Sequence, residues 1–342
     1  MKHLSENLSP AESLDELLHR FKVDDPALNA VASRYPFRIS AYYASLIKKP
    51  FDPIWLQAIP SLQELDDDQQ PDPLDEERLS PVPGLIHRYP DRAVLLASNS
   101  CAVYCRFCMR KRSIGCVGSG LDLAKAIAYI AETPALKDIL VSGGDPLMLP
   151  PDYLDNLLEQ LTKIPHVEII RIGSRLPVTD PERITPQLCR MLAKHHPLYL
   201  NTHFNHPAEL TEQSARACEL LIAAGIPLAN QTVLLKGVND STTVLDKLFR
   251  GLLRMRVRPY YLHQMDLVKG TAHFRTALAK GMELMDELRG KISGMAIPHF
   301  VVDLPEGKGK VPLLKETARC VKDGLWQVRS YNGDIVDYTD PN

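Results

Sequence analysis

Cys101, Cys105 and Cys108 stand in the run Cys101-Ala102-Val103-Tyr104-Cys105-Arg106-Phe107-Cys108, a C-x3-C-x2-C spacing. Three thiolates on one short loop suit an iron–sulfur cube, whose irons take cysteine sulfur as ligands. A [4Fe–4S] cluster needs four ligands and this loop supplies three, so one iron is left open to a substrate or cofactor. A zinc knuckle or three unrelated core cysteines are the plainer readings. Structural zinc sites use paired C-x2-C or C-x2-C/H-x3-H clusters, and no second cluster follows here. The cube is the stronger reading, with its context still to be supplied.

That context is a chain that alternates strand and helix. Strands are expected at Ala93–Ala97, Asp138–Ser142, Val167–Ile172, Leu198–His203, Leu228–Leu235 and Val257–His263. Helices are expected between them at 121–133, 152–163, 185–195, 211–225 and 242–255, with a last one over about 275–292. Six βα units in a row imply a parallel sheet with helices outside. An ordinary barrel of this kind has eight. The expected fold class is therefore α/β, a partial (β/α)6 TIM-like barrel.

In such barrels functional groups gather at the C-terminal strand ends. Those ends carry, in order, the cysteine loop, Ser142-Gly143-Gly144-Asp145, Gly173-Ser174-Arg175, Asn201-Thr202-His203, Asn230-Gln231 and Gln264-Met265-Asp266. The Gly143-Gly144 pair lets backbone approach a ligand closely, and Asp145 offers an acidic group to an ammonium. The plainer reading is a strand-to-helix turn. Further on, Asp303-Leu304-Pro305-Glu306-Gly307-Lys308-Gly309-Lys310 places lysines on a Gly-containing loop. A lysine there can form a Schiff base with pyridoxal 5′-phosphate (PLP). Alone, it is more often a solvated charge.

C-x3-C-x2-C after a first barrel strand resembles the radical S-adenosylmethionine (radical SAM) superfamily, whose open iron is chelated by SAM and whose fold is a partial barrel. Ser142-Gly143-Gly144-Asp145 resembles its methionine-binding element, and SAM is implied as cofactor. The order of motifs is more specific. Ser80–Arg92, the cysteines, Ser142–Leu147, Asn201–Pro207 and Asp266 through His273-Phe274-Arg275-Thr276 together resemble the lysine 2,3-aminomutase family over about residues 80–340.

That resemblance implies conversion of L-lysine to β-lysine by a SAM-derived 5′-deoxyadenosyl radical acting on a PLP-bound substrate. It implies Lys310 as the PLP lysine, with Lys308 as a competitor, because Glu306 and Lys308 replace glycines of the family loop. Arg88, Tyr89 and Arg92 match the PLP-phosphate region, where guanidinium forks suit a dianion. Arg110 matches the residue that holds the substrate carboxylate. Asp266 and Asp303 match the pair that grips the ε-ammonium, so a cationic substrate is expected. His203 and Gln231 are expected as SAM neighbours, alongside Ser142 to Asp145. A short relative makes (R)-β-lysine for elongation factor P, an alternative use of the same chemistry. A non-catalytic iron–sulfur protein for sensing or structure is the alternative from another class.

The chain has 342 residues, 45% apolar, with 40 basic against 42 acidic residues for a net charge of −2. That balance speaks against bulk nucleic-acid binding and an anionic-membrane anchor. No apolar run reaches a membrane span, and the first residues lack a signal core. Seven cysteines, three of them close-set, argue for a reducing, cytoplasmic setting rather than a disulfide framework. Cys116, Cys189 and Cys218 have no assigned role. Three regions are expected: 1–80, helical with an acidic linker; 81–300, the barrel; 301–342, carrying the PLP lysine. A first helix is read from Ser9-Pro10 with Glu12 closing a capping box. The eight acidic residues from Glu64 to Glu77 read as a solvated linker or arm. Catabolic family members carry a longer, cysteine-bearing tail for an intersubunit zinc site. Here only Cys320 follows Lys310, so that zinc site is not expected. A homo-oligomer and a flavodoxin or ferredoxin electron donor are the expected partners.

Overall fold

The computed structural model describes residues 11–116, 120–314, 317–322, 325–330 and 332–339. Two short strands, β1 (Ala11–Glu12) and β2 (Ile39–Ser40), pair near the N-terminus. The expected cap at Ser9-Pro10 lies outside the described residues. The first helix is Leu14–Arg20, and Ser13 and Glu16 form its capping box. The apolar stripe of Leu14, Leu17 and Leu18 is buried, as the helical spacing requires.

The main sheet has nine strands. β3 (Leu85–Tyr89) and β4 (Arg92–Ser98) form an antiparallel pair at one edge. β4 then begins a parallel series: β5 (Asp138–Gly143), β6 (Ile169–Gly173), β7 (Leu198–Thr202), β8 (Leu228–Leu234), β9 (Arg258–Gln264) and β10 (His299–Leu304). β11 (Gly309–Pro312) turns back antiparallel on β10 and closes the other edge. The six expected strands are β4 to β9, in sequence order. The helix at Leu278–Leu288 is one more crossover and delivers β10 as a seventh parallel strand. It is shorter at both ends than the apolar pattern suggested.

Helices on the outside bury one face each. In Thr242–Arg254, Leu245, Leu248, Phe249 and Leu252 point inward at i, i+3, i+4 and i+7, and Ser241 caps the first turn. β8 buries alternate residues, and two of these, Asn230 and Thr232, are polar. They are satisfied by Phe204 and by each other: the Asn230 amide donates to Phe204 O at 3.1 Å and to Thr232 Oγ1 at 2.8 Å. Beyond the barrel, β12 (Ala318–Lys322), β13 (Leu325–Arg329) and β14 (Ile335–Thr339) form a small antiparallel sheet. Arg329 anchors it to Asp286 through two bonds of 2.7 and 3.2 Å. No helix among the described residues is long and apolar enough to cross a membrane.

The acidic run from Glu64 to Glu77 departs from the solvated linker read from its composition. Glu64 and Glu76 are buried, at 1% and 4% exposure. Glu64 binds Arg106 and Lys111, the latter at 2.7 Å. Asp67 accepts three backbone N–H bonds from Gly270, Thr271 and Ala272 at 2.8 to 2.9 Å. Glu306 N–H donates to Pro73 O at 2.9 Å. The segment is a strap that ties the cysteine loop to the loop after β9 and to the lysine hairpin. Its charges are neutralised by Arg106, Arg110, Lys111 and Arg112, cations that follow the cysteines and lie tens of residues away.

Candidate active site

The cysteine loop leaves the C-terminal end of β4 and is pinned by backbone. Tyr104 N–H donates to Arg38 O and Arg106 N–H to Gln57 O, both at 2.9 Å. Arg106 runs into the interior and bonds Glu64 and Pro36 O. Burial, then the charge of Asp145 and the neighbouring thiols, pushes Cys101 well above the ordinary thiol range; burial and Cys105 push Cys108 up to about 11. Arg175, from the end of β6, donates to Cys105 Sγ at 2.7 Å. Three close-set, half-buried thiols, two of them resisting ionisation and the third under a guanidinium, suit iron as the cation that relieves their repulsion. Among the described residues no three side chains converge as ligands of a single ion; a cube takes each thiolate on a separate iron.

The Gly143-Gly144 pair makes a close approach within the chain itself. Gly143 has φ +112°, and a Cβ there would strike the Ser98 carbonyl. A Cβ at Gly144 would stand 2.5 Å from the Ser100 carbonyl. The end of β5 thus lies against the root of the cysteine loop, which only glycine allows. The Asp145 carboxylate is turned to the chain. It accepts from Leu147 N–H at 3.1 Å, Ser174 Oγ at 3.0 Å, Arg175 N–H at 2.7 Å and Leu176 N–H at 3.1 Å. Burial outweighs these bonds and raises it to about 6. Ser142 stands beside Gly173 of β6.

Next to the loop, β7 ends in polar atoms that lack partners. Asn201 Nδ2, Thr202 Oγ1 and His203 Nε2 are buried with no hydrogen-bond partner among the described residues. The His203 ring lies 5.5 Å from that of Phe107, between Cys105 and Cys108 in the loop. Burial, then the Arg175 charge, holds His203 far below the ordinary histidine range and neutral. Orphaned donors and acceptors beside an iron site fit a polar cofactor such as SAM.

Lys310 forms a second cluster at the far edge of the sheet. Asp303 on β10 and Lys310 on β11 are directly opposed in the hairpin register. His263 on β9 is level with Val301 on β10 and Val233 on β8. Because side chains alternate, Gln231, His263, Asp303 and Lys310 all fall on one face. The contacts follow. Lys310 Nζ is 2.7 Å from Asp303 Oδ2 and 3.1 Å from His263 Nδ1, and His263 Nε2 is 3.3 Å from Gln231 Oε1. Gln231, expected beside SAM, is therefore found in the lysine cluster. Arg88 binds the other Asp303 oxygen at 3.0 Å. Against its burial, the contacts of His263 and Lys310 hold Asp303 well below the ordinary carboxylate range. Tyr89 accepts the Lys310 N–H at 2.9 Å, and its ring lies 3.9 Å under Arg92. Lys308 is exposed and paired with Glu306 at 2.8 Å. Glu306 adopts φ +59°, a left-handed conformation that glycine would take without strain. A lysine amine held at the barrel mouth, with Arg88 and Arg92 close by, fits a covalently held phosphate cofactor.

Arg110 lies between the two clusters, and its guanidinium is filled by the strap. Glu76 binds it bidentately at 2.7 and 3.1 Å. Asp266 is half-buried near Asp303, Lys310, Arg88 and Glu76, and makes no hydrogen bond with a described residue. Burial first, then the charge of Asp303, raises it to about 7.

Residues 95–248 match the radical SAM superfamily, and residues 285–342 match the family described as lysine-2,3-aminomutase. The L-lysine 2,3-aminomutase of Fusobacterium nucleatum is 50% identical over 89% of this chain and 73% of its own length. That of Clostridium subterminale is 45% identical over 98% and 82%. The chain belongs to the lysine 2,3-aminomutase family. It is an isomerase of the aminomutase type, built on a radical SAM domain that works with SAM and a [4Fe–4S] cluster. The family also includes a glutamate 2,3-aminomutase from Clostridioides difficile, 43% identical over 98% of this chain and 81% of that one. Among solved structures, a radical SAM methyltransferase from Sphaerobacter thermophilus aligns at a TM-score of 0.44, with 18% identity, over 64% of this chain and 67% of that chain.

Sequence reasoning passed over three residues of the site. Arg175 was seen only as a strand end, and His263 only as a strand residue. Glu76 was hidden in an acidic run. For His263 a signal existed: it lies three residues before Asp266, at the C-terminal end of a parallel strand, where this fold places chemistry.

Proposed function

We propose that the chain is an L-lysine 2,3-aminomutase that forms β-lysine, with Lys310 holding PLP and Arg88, Tyr89 and Arg92 around it. The observation that carries the substrate is Asp266, a half-buried carboxyl beside Asp303 that has no hydrogen-bond partner among the described residues. Lys310, once committed to a cofactor, no longer places a free ammonium on Asp303. Two carboxylates then face one guanidinium, Arg88, and a substrate ammonium restores the balance. Arg110 is the fork for the substrate carboxylate, in exchange for Glu76. A γ-carboxylate in place of the ε-ammonium would meet Asp266 and be repelled.

Cys101, Cys105 and Cys108 would hold the cluster, and the end of β7 with His203 would border SAM. When bound, the cluster and SAM supply homolytic hydrogen abstraction, and PLP supplies a π system for the migrating amine. The protein's own contribution is placement. The strap spans both clusters and covers Arg110, so water is kept from the space between them.

The test is anaerobic. Protein reconstituted with iron, sulfide and PLP is given SAM and dithionite, then L-lysine, L-glutamate or L-arginine in turn, and products are resolved by mass. β-Lysine from lysine alone is expected. β-Glutamate would overturn the role of Asp266; SAM cleavage without any isomerised amino acid would overturn the substrate reading altogether.

A further inference from the structure

Lys310 can bond to a carbonyl carbon only as a neutral amine. A proton must leave Nζ before that bond forms and return when a substrate nitrogen takes the lysine's place. Two groups touch Nζ: Asp303 Oδ2 at 2.7 Å and His263 Nδ1 at 3.1 Å. Asp303 is the poorer acceptor, because Arg88 occupies its other oxygen at 3.0 Å and stabilises the carboxylate.

The geometry also sets the histidine tautomer. A lysine ammonium only donates, so Nδ1 facing it must carry a lone pair. The ring proton is then on Nε2, where Gln231 Oε1 accepts it at 3.3 Å. A neutral imidazole with its acceptor turned to the lysine is poised to receive a proton.

We propose that His263 is the proton-transfer residue for Lys310, oriented by Gln231 from the neighbouring strand. The proton moves from Nζ to Nδ1, and the freed lone pair on Nζ attacks the carbonyl carbon; the C=O oxygen leaves as water, taking one proton back from Nδ1 and one from Nζ, so His263 ends neutral. When an amino acid exchanges with the lysine, that bond breaks and the proton returns to Nζ. Over the exchange two of the incoming ammonium's three hydrogens pass to Lys310, which keeps its own, so no further acid, oxidant or reductant is needed. The groups facing His263 are Lys310 from β11, Asp303 from β10, and Tyr261 on its own strand, with the Arg175-contacting His203 beyond. Burial and the Lys310 charge hold the imidazole down at about 4, so at neutral pH it is neutral and would pass on a proton taken from Nζ rather than keep it.

This inference rests on Lys310 being the PLP lysine, and the experiment separates the two. Cluster- and PLP-loaded protein, without SAM or reductant, is mixed with L-lysine by stopped flow, and the change in PLP absorbance is followed across pH. His263→Gln should keep the covalent PLP band but slow the exchange about a hundredfold and flatten its pH dependence. Gln231→Glu should move the pH midpoint upward by about one unit, because an anion beside Nε2 favours the imidazolium. Exchange at the wild-type rate in His263→Gln, or an unmoved midpoint in Gln231→Glu, would overturn the role of His263. Lys310→Ala should lose the covalent band. If it keeps the band, the assignment of Lys310 itself falls, and the proposal for His263 with it.

Discussion

The cysteine loop and the Lys310 hairpin are held in place by different forces. The loop is fixed by backbone: carbonyls of Arg38 and Gln57 receive its N–H groups, and two glycines let β5 press on its root. The hairpin is fixed by charge: Lys310, Asp303, Arg88 and His263 balance one another across four strands. Backbone packing is set by shape and leaves no slack for an added atom. A charge network can be re-dealt when a ligand brings its own charges. The first region thus suits a permanent cluster, and the second suits a substrate that comes and goes.

Gly144→Ala should break this contrast most sharply. Its Cβ would meet the Ser100 carbonyl at 2.5 Å, so the loop must shift. The variant should lose most of its reconstituted iron and about 3 kcal/mol of stability, while PLP uptake persists. Metal analysis beside PLP absorbance reads both; full iron content would show that the loop is not held by this contact.

Glu76→Gln probes the strap between the two regions. Arg110 loses an anionic partner, and the protein without substrate should lose about 2 kcal/mol. L-Lysine should then restore more stability than it gives the wild type, because its carboxylate replaces the missing charge. Thermal unfolding with and without lysine checks this. Equal shifts in the two proteins would place the substrate carboxylate away from Arg110.

The smallest effect concerns Asp266. Its carboxyl is raised to about 7, so without a ligand its contribution to stability declines as pH rises from the ordinary carboxylate range through 7. An ammonium nearby favours the ionised form and expels the proton. Binding of L-lysine at pH 7 should release about half a proton, and in Asp266→Asn none from this group. Titration calorimetry in two buffers of different ionisation enthalpy measures it. Identical release in both proteins would remove Asp266 from the substrate pocket.

The cysteine spacing and the six βα units were legible in the sequence because each depends on neighbours. The three cysteines fall within eight residues, and a strand–helix alternation repeats a local pattern. The acidic strap was misread for the opposite reason. Glu64 and Glu76 look solvated until their partners Arg106 and Arg110 are brought to them, and composition carries no distance. What holds Asp145 was equally out of reach: three of its four hydrogen bonds come from the turn after β6.

By itself the sequence determined which chemistries are present: three thiols on one loop, lysines on a Gly-containing loop after an aspartate, a guanidinium after the cysteines. Only the tertiary structure decided which of them face one another. Gln231 joined the lysine rather than the cysteines, His263 entered the site, and Glu76 filled Arg110. The physical reason is that the face of a strand is set by period two within the chain, whereas the neighbour across the sheet is set by register between strands far apart in sequence.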